Sequence, residues 1–391
     1  MNGRQNARLV MGLTLASAVA TGVLGWQRES SLLLIGAFLG GGYAIWGLTP
    51  GQLARLQKSP SEGKRTPAPP PPPPRPKKPT ADGVVGQMLA EGRAALVLRP
   101  LIAEGLEEAV FQEAIEALHA QMAFVPEGDV ELETPDEQQR SRVTRVGAFF
   151  LDRYPLTNEQ YYSFVAGGGY EQMALWDESI WPAILDFVDR TGKPGPQYWR
   201  DGRYLPGEER HPVVGVSWYE ASACARWLGK RLPTDAEWVK AGAWPVALSE
   251  KARVQRRYPW GETMDRKRAN VWGAGPERIV SVDEFADGVS VGGVYQLIGN
   301  VWEWTWGSFA RPGADWSLPC PMKTIRGGAF DTYFDNQATC QFRSGENPLA
   351  RRHNIGFRCA IAMSDLLLSR EPKSKEEAPA TEEPSTEEVP T

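Results

Sequence analysis

Hydrophobic positions follow three regimes along this chain. The first is continuous. Residues 9–26 and 31–48 are apolar runs without a charge, separated only by Gln27-Arg28-Glu29-Ser30. Each run of about 18 residues, at ~1.5 Å rise per residue, just spans a ~30 Å hydrocarbon core. The pair predicts a transmembrane helical hairpin over 1–50. A secretory signal peptide competes with that reading, because Arg4 and Arg8 precede the first run and Ala16-Ser17-Ala18-Val19-Ala20 offers a cleavage site. The second apolar run argues against cleavage. Arg55, Lys58, Lys64 and Arg65 follow the hairpin, so both flanks are expected on the cytoplasmic side. The expectation is an integral membrane protein, partnered by the lipid bilayer, with its soluble domain in the cytoplasm and its thiols mostly reduced.

The second regime has no apolar period. Residues 51–83 form a basic, Pro-rich linker, whose stretch 67–79 ends in Arg75, Lys77 and Lys78. Polyproline II at ~3.1 Å per residue makes this a spacer of ~40 Å. A ligand for proline-reading modules is the alternative. The basic residues suit anionic head groups, at ~1 kcal/mol each near the surface. Residues 366–391 are an acidic tail, rich in Glu, Pro, Thr and Ser beyond Ser369, and predict disorder.

The third regime is periodic. Over 84–121, Leu106, Val110, Phe111, Ile115 and Leu118 recur at helical spacing and predict a helical lead-in packed on the main domain. Residues 122–365 form that domain. Val146, Ala148, Phe149, Phe150 and Leu151 read as a buried strand. Thr157 with Gln160, Ser217 with Glu220, and Thr234 with Glu237 read as capping boxes opening helices. A long Gly- and Trp-rich region without clear period follows, so Trp218, Trp238, Trp260, Trp302 and Trp304 are expected in the core.

Composition narrows the chemistry. The net charge of −5 gives no global bias toward nucleic acid. Four cysteines (Cys224, Cys320, Cys340 and Cys359) are too few for a disulfide framework in 391 residues. The three histidines (His119, His211 and His353) share no short spacing, which excludes an H-x-x-x-H metal site.

Rare strings then stand in a fixed order: His211-Pro-Val-Val-Gly-Val-Ser-Trp218, Gly229-Lys-Arg-Leu-Pro-Thr-Asp-Ala-Glu-Trp238, Tyr258-Pro-Trp-Gly261, Gly299-Asn300-Val301-Trp302-Glu303-Trp304-Thr305, Arg326-Gly-Gly-Ala-Phe330 and Asn354-Ile-Gly-Phe-Arg-Cys359. In this order they resemble the formylglycine-generating-enzyme family, the sulfatase-modifying-factor domain, over roughly residues 120–363. The resemblance implies an α+β, irregular and loop-rich domain, a variant of the C-type lectin fold. It also implies copper(I) held between two cysteine thiolates, a soft metal matched to soft ligands. The matching positions here are Thr332 and Gln337, and the serine after the glycine pair is Ala329. Copper is therefore not expected. Cys340, Cys359 and Cys224 fall at or beside structural positions of the family, and Cys320 has no counterpart. Non-haem iron is not expected either: a related branch adds a helical bundle with three histidine ligands, whereas the segment before this domain is short and holds only His119.

The resemblance also implies a calcium site, for which Gln296, Gly299, Val301 and Glu303 are the matching positions. Oxygen-only ligands suit that hard cation. The plainer reading is that Glu303 caps backbone amides without metal. A second family site, beginning at Asn270-Val271, lacks its downstream acid. The altered cleft holds Asp331, Thr332, Asp335, Asn336, Gln337, Arg351, His353 and Asn354 as candidate ligand-binding residues. Arg343 and Arg358 read as internal partners, and His353 has no acidic orienter visible in sequence. The expected function is a membrane-anchored binding or scaffold module for a protein or peptide. An oxidoreductase with a non-standard metal centre, and a carbohydrate-binding lectin, are the rivals.

Overall fold

The computed structural model describes residues 81, 83–133, 141–249, 252–309 and 321–370. The hairpin and nearly all of the linker, the tail beyond Arg370, and Cys320 lie outside them. The integral-membrane expectation is corrected: among the described residues no helix is long and apolar enough to cross a membrane. The longest has 14 residues, about 21 Å against a ~30 Å hydrocarbon core.

The lead-in is broken into α1 (Gly83–Ala90), α2 (Ala94–Val97), α3 (Pro100–Ala103) and α4 (Glu108–Gln121). Pro100 sits at the start of α3, where its missing N–H costs nothing. Phe111, Ala114 and Leu118 of α4 are buried with Ala95 and Leu98 against Met122, Phe150 and Ile361. Of the expected stripe, Phe111 and Leu118 are buried, while Leu106, Val110 and Ile115 are half-buried. The start of the presumed tail joins this cluster. Leu366 is buried, Leu367 N donates to Leu98 O (2.9 Å), and the Arg370 guanidinium lies 3.9 Å above the Phe111 ring. The first residues assigned to the tail thus belong to the packed domain, because Leu366 has an apolar seat.

The main domain runs β1 (Met122–Val125), β2 (Gly128–Glu133), β3 (Ser141–Val146), β4 (Phe149–Asp152), α5 (Asn158–Ala166), α6 (Trp181–Ile184), α7 (Trp218–Trp227) and α8 (Asp235–Ala243). It continues with β5 (Val246–Ser249), β6 (Ala252–Val254), β7 (Trp302–Phe309), β8 (Met322–Arg326), β9 (Arg343–Glu346), β10 (Ile355–Phe357) and β11 (Ala360–Ala362). The strand expected over 145–152 is two, β3 and β4, on different partners. The expected boxes cap α5, α7 and α8, each with both reciprocal hydrogen bonds. Such caps satisfy amides that the first turn leaves unpaired.

Trp218, Trp238 and Trp304 are buried as expected, whereas Trp260 and Trp302 are half-buried. Each buried indole N–H finds an acceptor: Thr305 O, a Glu303 oxygen and Val216 O respectively. Burying an aromatic body is favourable only when its polar tip is satisfied.

The four-stranded sheet has the order β10-β7-β8-β9. β10 runs parallel to β7, pairing Ile355 with Trp302, and β8 runs antiparallel, pairing Arg326 with Glu303. The starts of β7 and β10 and the end of β8 therefore share one end of the sheet. Topology thus brings Asn300, Asn354 and Gly327-Gly328 together.

Candidate functional site

At that end, glycines let backbones approach. A Cβ on Gly299 (φ +81°) would stand 2.5 Å from Asn270 O, and one on Gly327 (φ +96°) 2.6 Å from Leu297 O. Only glycine fits such contacts at positive φ without strain. Gly299 N donates to Gly327 O (3.0 Å) and Phe330 N to Asn300 O (3.1 Å), fastening the β8 exit loop to the start of β7.

Glu303 points into the core and is 1% exposed. Its carboxylate accepts from Arg358 Nη2 (2.6 Å), Arg358 Nε (2.7 Å) and Trp238 Nε1 (2.7 Å). Arg358 is fully buried and also donates to Tyr295 O and Asp152 O. Gln296 Oε1 accepts from Asn300 Nδ2 (2.8 Å), and Gln296 Nε2 donates to Ser281 O and Glu284 O. Asn300 Oδ1 accepts from Asn270 Nδ2 and Val280 N. A ladder of buried amides therefore occupies the positions where the resemblance implies calcium.

This donor set does not fit the ion. Gln296, Gly299, Val301 and Glu303 offer one carboxylate, already neutralised by a guanidinium that would repel a dication. The Gly299 carbonyl accepts from Val301 N (2.9 Å). Asn270 Oδ1 is a buried acceptor without a hydrogen-bond partner. Among the described residues no three His, Cys, Asp or Glu side chains are grouped to hold a metal.

The loop after the glycine pair is different. Thr332 is buried and closes its own turn: Oγ1 accepts from Ala329 N (2.8 Å), and its N–H donates to Ala329 O (2.9 Å). Asp331 faces solvent, and both its oxygens accept from Asn354 Nδ2 (3.1 and 3.0 Å). His353 Nε2 lies 3.6 Å from Asp331 Oδ2, with the His353 side chain 60% exposed. Asp331 is thus an acid beside His353 that sequence did not reveal, at a distance too long for a hydrogen bond. Asp335, Asn336 and Gln337 form a short 3-10 turn next in the chain, and Asp335 pairs with Arg266 at 2.7 Å.

Arg351 does not join this group. Its guanidinium turns inward to Val188 O, Gly195 O, Gly215 O and the buried Glu220 carboxylate (3.0 Å). Burial pushes the Glu220 carboxyl above its ordinary value, with Arg351 opposing. Cys224, Cys340 and Cys359 are buried free thiols. Burial raises all three well above the usual thiol range, so they stay protonated at neutral pH.

Sequence reasoning missed an aromatic rim. Tyr333 (63% exposed) and Phe334 (59%) meet edge to face at 5.1 Å, beside the 43% exposed Trp272. Trp272 N donates to Thr332 O (3.2 Å), and Arg266 ties Trp272 O to Asp335. The one local signal was an aromatic pair inside a polar loop.

Comparison with known proteins agrees with these strings. Residues 107–363 match the model of the sulfatase-modifying factor enzyme 1-like domain. A hercynine oxygenase of Mycobacterium tuberculosis is 39% identical over 252 residues, covering 58% of this chain and 55% of that protein. The inactive C-alpha-formylglycine-generating enzyme 2 of mouse is 30% identical over 260 residues, covering 58% and 79%. The solved structure of PvdO from Pseudomonas aeruginosa covers 61% of this chain and 93% of its own at 22% identity, with a TM-score of 0.42. The chain spans about half the length of the first curated relatives it matches. An α+β domain with these strings and this family match belongs to the sulfatase-modifying factor enzyme 1-like family.

Proposed function

We propose that this domain is a binding module that takes an extended protein or peptide segment at the loop end of the four-stranded sheet, without thiolate-bound copper. The observation that carries the reading is Thr332. Where a metal-binding thiolate is implied by the resemblance, a buried hydroxyl accepts from Ala329 N. Burial keeps Cys224, Cys340 and Cys359 protonated. The cleft instead offers the carboxylate of Asp331, the imidazole of His353 and the faces of Trp272, Tyr333 and Phe334. Backbone amides and apolar side chains of an extended segment suit such a mixed surface. The inactive mouse relative supports the same reading.

A second reading is an oxidoreductase with another centre. The hercynine oxygenase relative and the pairing of His353 with Asp331 stand on its side. The test selects peptides from a random display library with the full chain, then titrates them against wild type and an Asp331→Ala/His353→Ala variant. A loss of at least about tenfold in affinity, with an unchanged Tm, supports the module. Peptides that bind both proteins equally overturn it, as does oxygen-dependent thiol oxidation by copper-loaded wild type.

A further inference from the structure

A cavity of about 250 Å³ opens between the C-terminal end of α8 and the turn joining β1 to β2. None of the cleft residues lines it. Glu127, Asp129, Arg145, Lys240 and Trp244 supply its polar and aromatic wall. Its volume is roughly eight times the ~30 Å³ share of one liquid water, enough for a molecule of a few non-hydrogen atoms.

Lys240 is its unusual member. It stands in the last turn of α8 and is only 5% exposed. Its partner is a backbone carbonyl, Pro126 O at 2.5 Å, whereas Glu127 and Asp129 pair with Arg145 at 3.1 and 3.6 Å. A Cβ on Gly128 would lie 3.1 Å from Nζ, so the bare glycine lets the amine lie against the backbone. Trp244 ends the helix in the left-handed region (φ +42°) and supplies an indole to the wall.

We propose that Lys240 is a reactive amine at the floor of a small-molecule site, and that the cavity takes a small aldehyde or 2-oxo acid captured as an imine. The Nζ lone pair attacks the carbonyl carbon, and the carbonyl oxygen takes a proton. The carbinolamine then expels that oxygen as water while nitrogen gives up its remaining proton. Nothing is oxidised or reduced. Glu127 and Asp129 stand at the wall to relay these protons, and Arg145 supplies positive charge for the carboxylate of an oxo acid. Burial lowers the Lys240 pKa and Arg145 adds to the shift, with Asp129 and Glu127 opposing. A larger share of free amine at neutral pH follows.

The full chain would be treated with glyoxylate and cyanoborohydride near neutral pH, and adducts counted lysine by lysine by peptide mass spectrometry. Lys193 and Lys267 are exposed references in the same molecule. The expected result is an adduct on Lys240 forming about tenfold faster than on either reference, a difference of about 1.4 kcal/mol in barrier. Excess pyruvate in the same reaction should slow the glyoxylate adduct on Lys240 selectively and leave its own heavier adduct there. Labelling of Lys240 no faster than Lys193 and Lys267 overturns the proposal, and shows an amine that only fastens Pro126. Because the comparison lies within wild-type protein, no variant has to fold, and the outcome is independent of peptide binding in the cleft.

Discussion

Glu303 and Asp331 reach the same end of the same sheet, and physical surroundings give them opposite work. Glu303 is enclosed by Arg358 and Trp238, with its oxygens occupied. Asp331 is part-exposed, accepting from Asn354 and standing beside an exposed histidine. A buried carboxylate survives only with a matched cation and donors, so its chemistry is consumed by the fold. A solvent-facing carboxylate keeps lone pairs for a partner. On the proposed reading, recognition belongs to the rim, and the ion pair beneath belongs to stability.

Breaking the inner half of that comparison should have the largest effect. Glu303→Gln leaves Arg358 buried without its charge partner and should cost about 3–5 kcal/mol, measured by urea unfolding; a loss under about 1 kcal/mol would mean the pair is not structural. An intermediate effect is expected beneath Arg351, where Asp189 holds the 189–202 loop. Its carboxylate accepts from Gly202 N (2.7 Å), Thr191 N (2.7 Å) and Lys193 N (3.1 Å). Burial pushes the Asp189 carboxyl up, but these hydrogen bonds outweigh it and hold the carboxyl below its ordinary value. The stabilisation is then fully present above the ordinary carboxylate pKa of about 3.9. It is lost as pH falls through the lower folded value. Asp189→Asn should cost about 1–2 kcal/mol at pH 7. Its gap from wild type should close below about pH 4; a gap that widens in acid would reverse the sign.

The outer half should be quiet in stability and loud in binding. Asp331→Ala/His353→Ala should move unfolding by under about 0.5 kcal/mol while weakening selected peptides as stated above. Smallest of all is the response to calcium. If Glu303 is already paired, millimolar calcium against chelator should leave Tm unchanged, and a rise of several degrees would show that the amide ladder opens to take the ion.

Local chemistry was legible in the sequence and long-range pairing was not. Each capping box involves residues three apart, so Thr157, Ser217 and Thr234 announced α5, α7 and α8 directly. The indoles of Trp218, Trp238 and Trp304 followed from apolarity alone. Arg358 was expected to be an internal partner, but its acid lies 55 residues away. Nothing local separates a carboxylate bound to arginine from one open to calcium. Arg351 was placed in the cleft by its neighbours along the chain, whereas Glu220, 131 residues earlier, draws it inward. The His353–Asp331 pair was invisible for the same reason: it exists only because the end of β8 meets the starts of β7 and β10.

The most direct test is copper(I) retention by the full chain under reducing conditions, read with oxygen uptake on a cysteine-containing peptide. The account predicts no stoichiometric copper and no uptake above the metal-free rate. One copper retained per chain with oxygen-dependent thiol oxidation would contradict it, and would return this domain to redox chemistry.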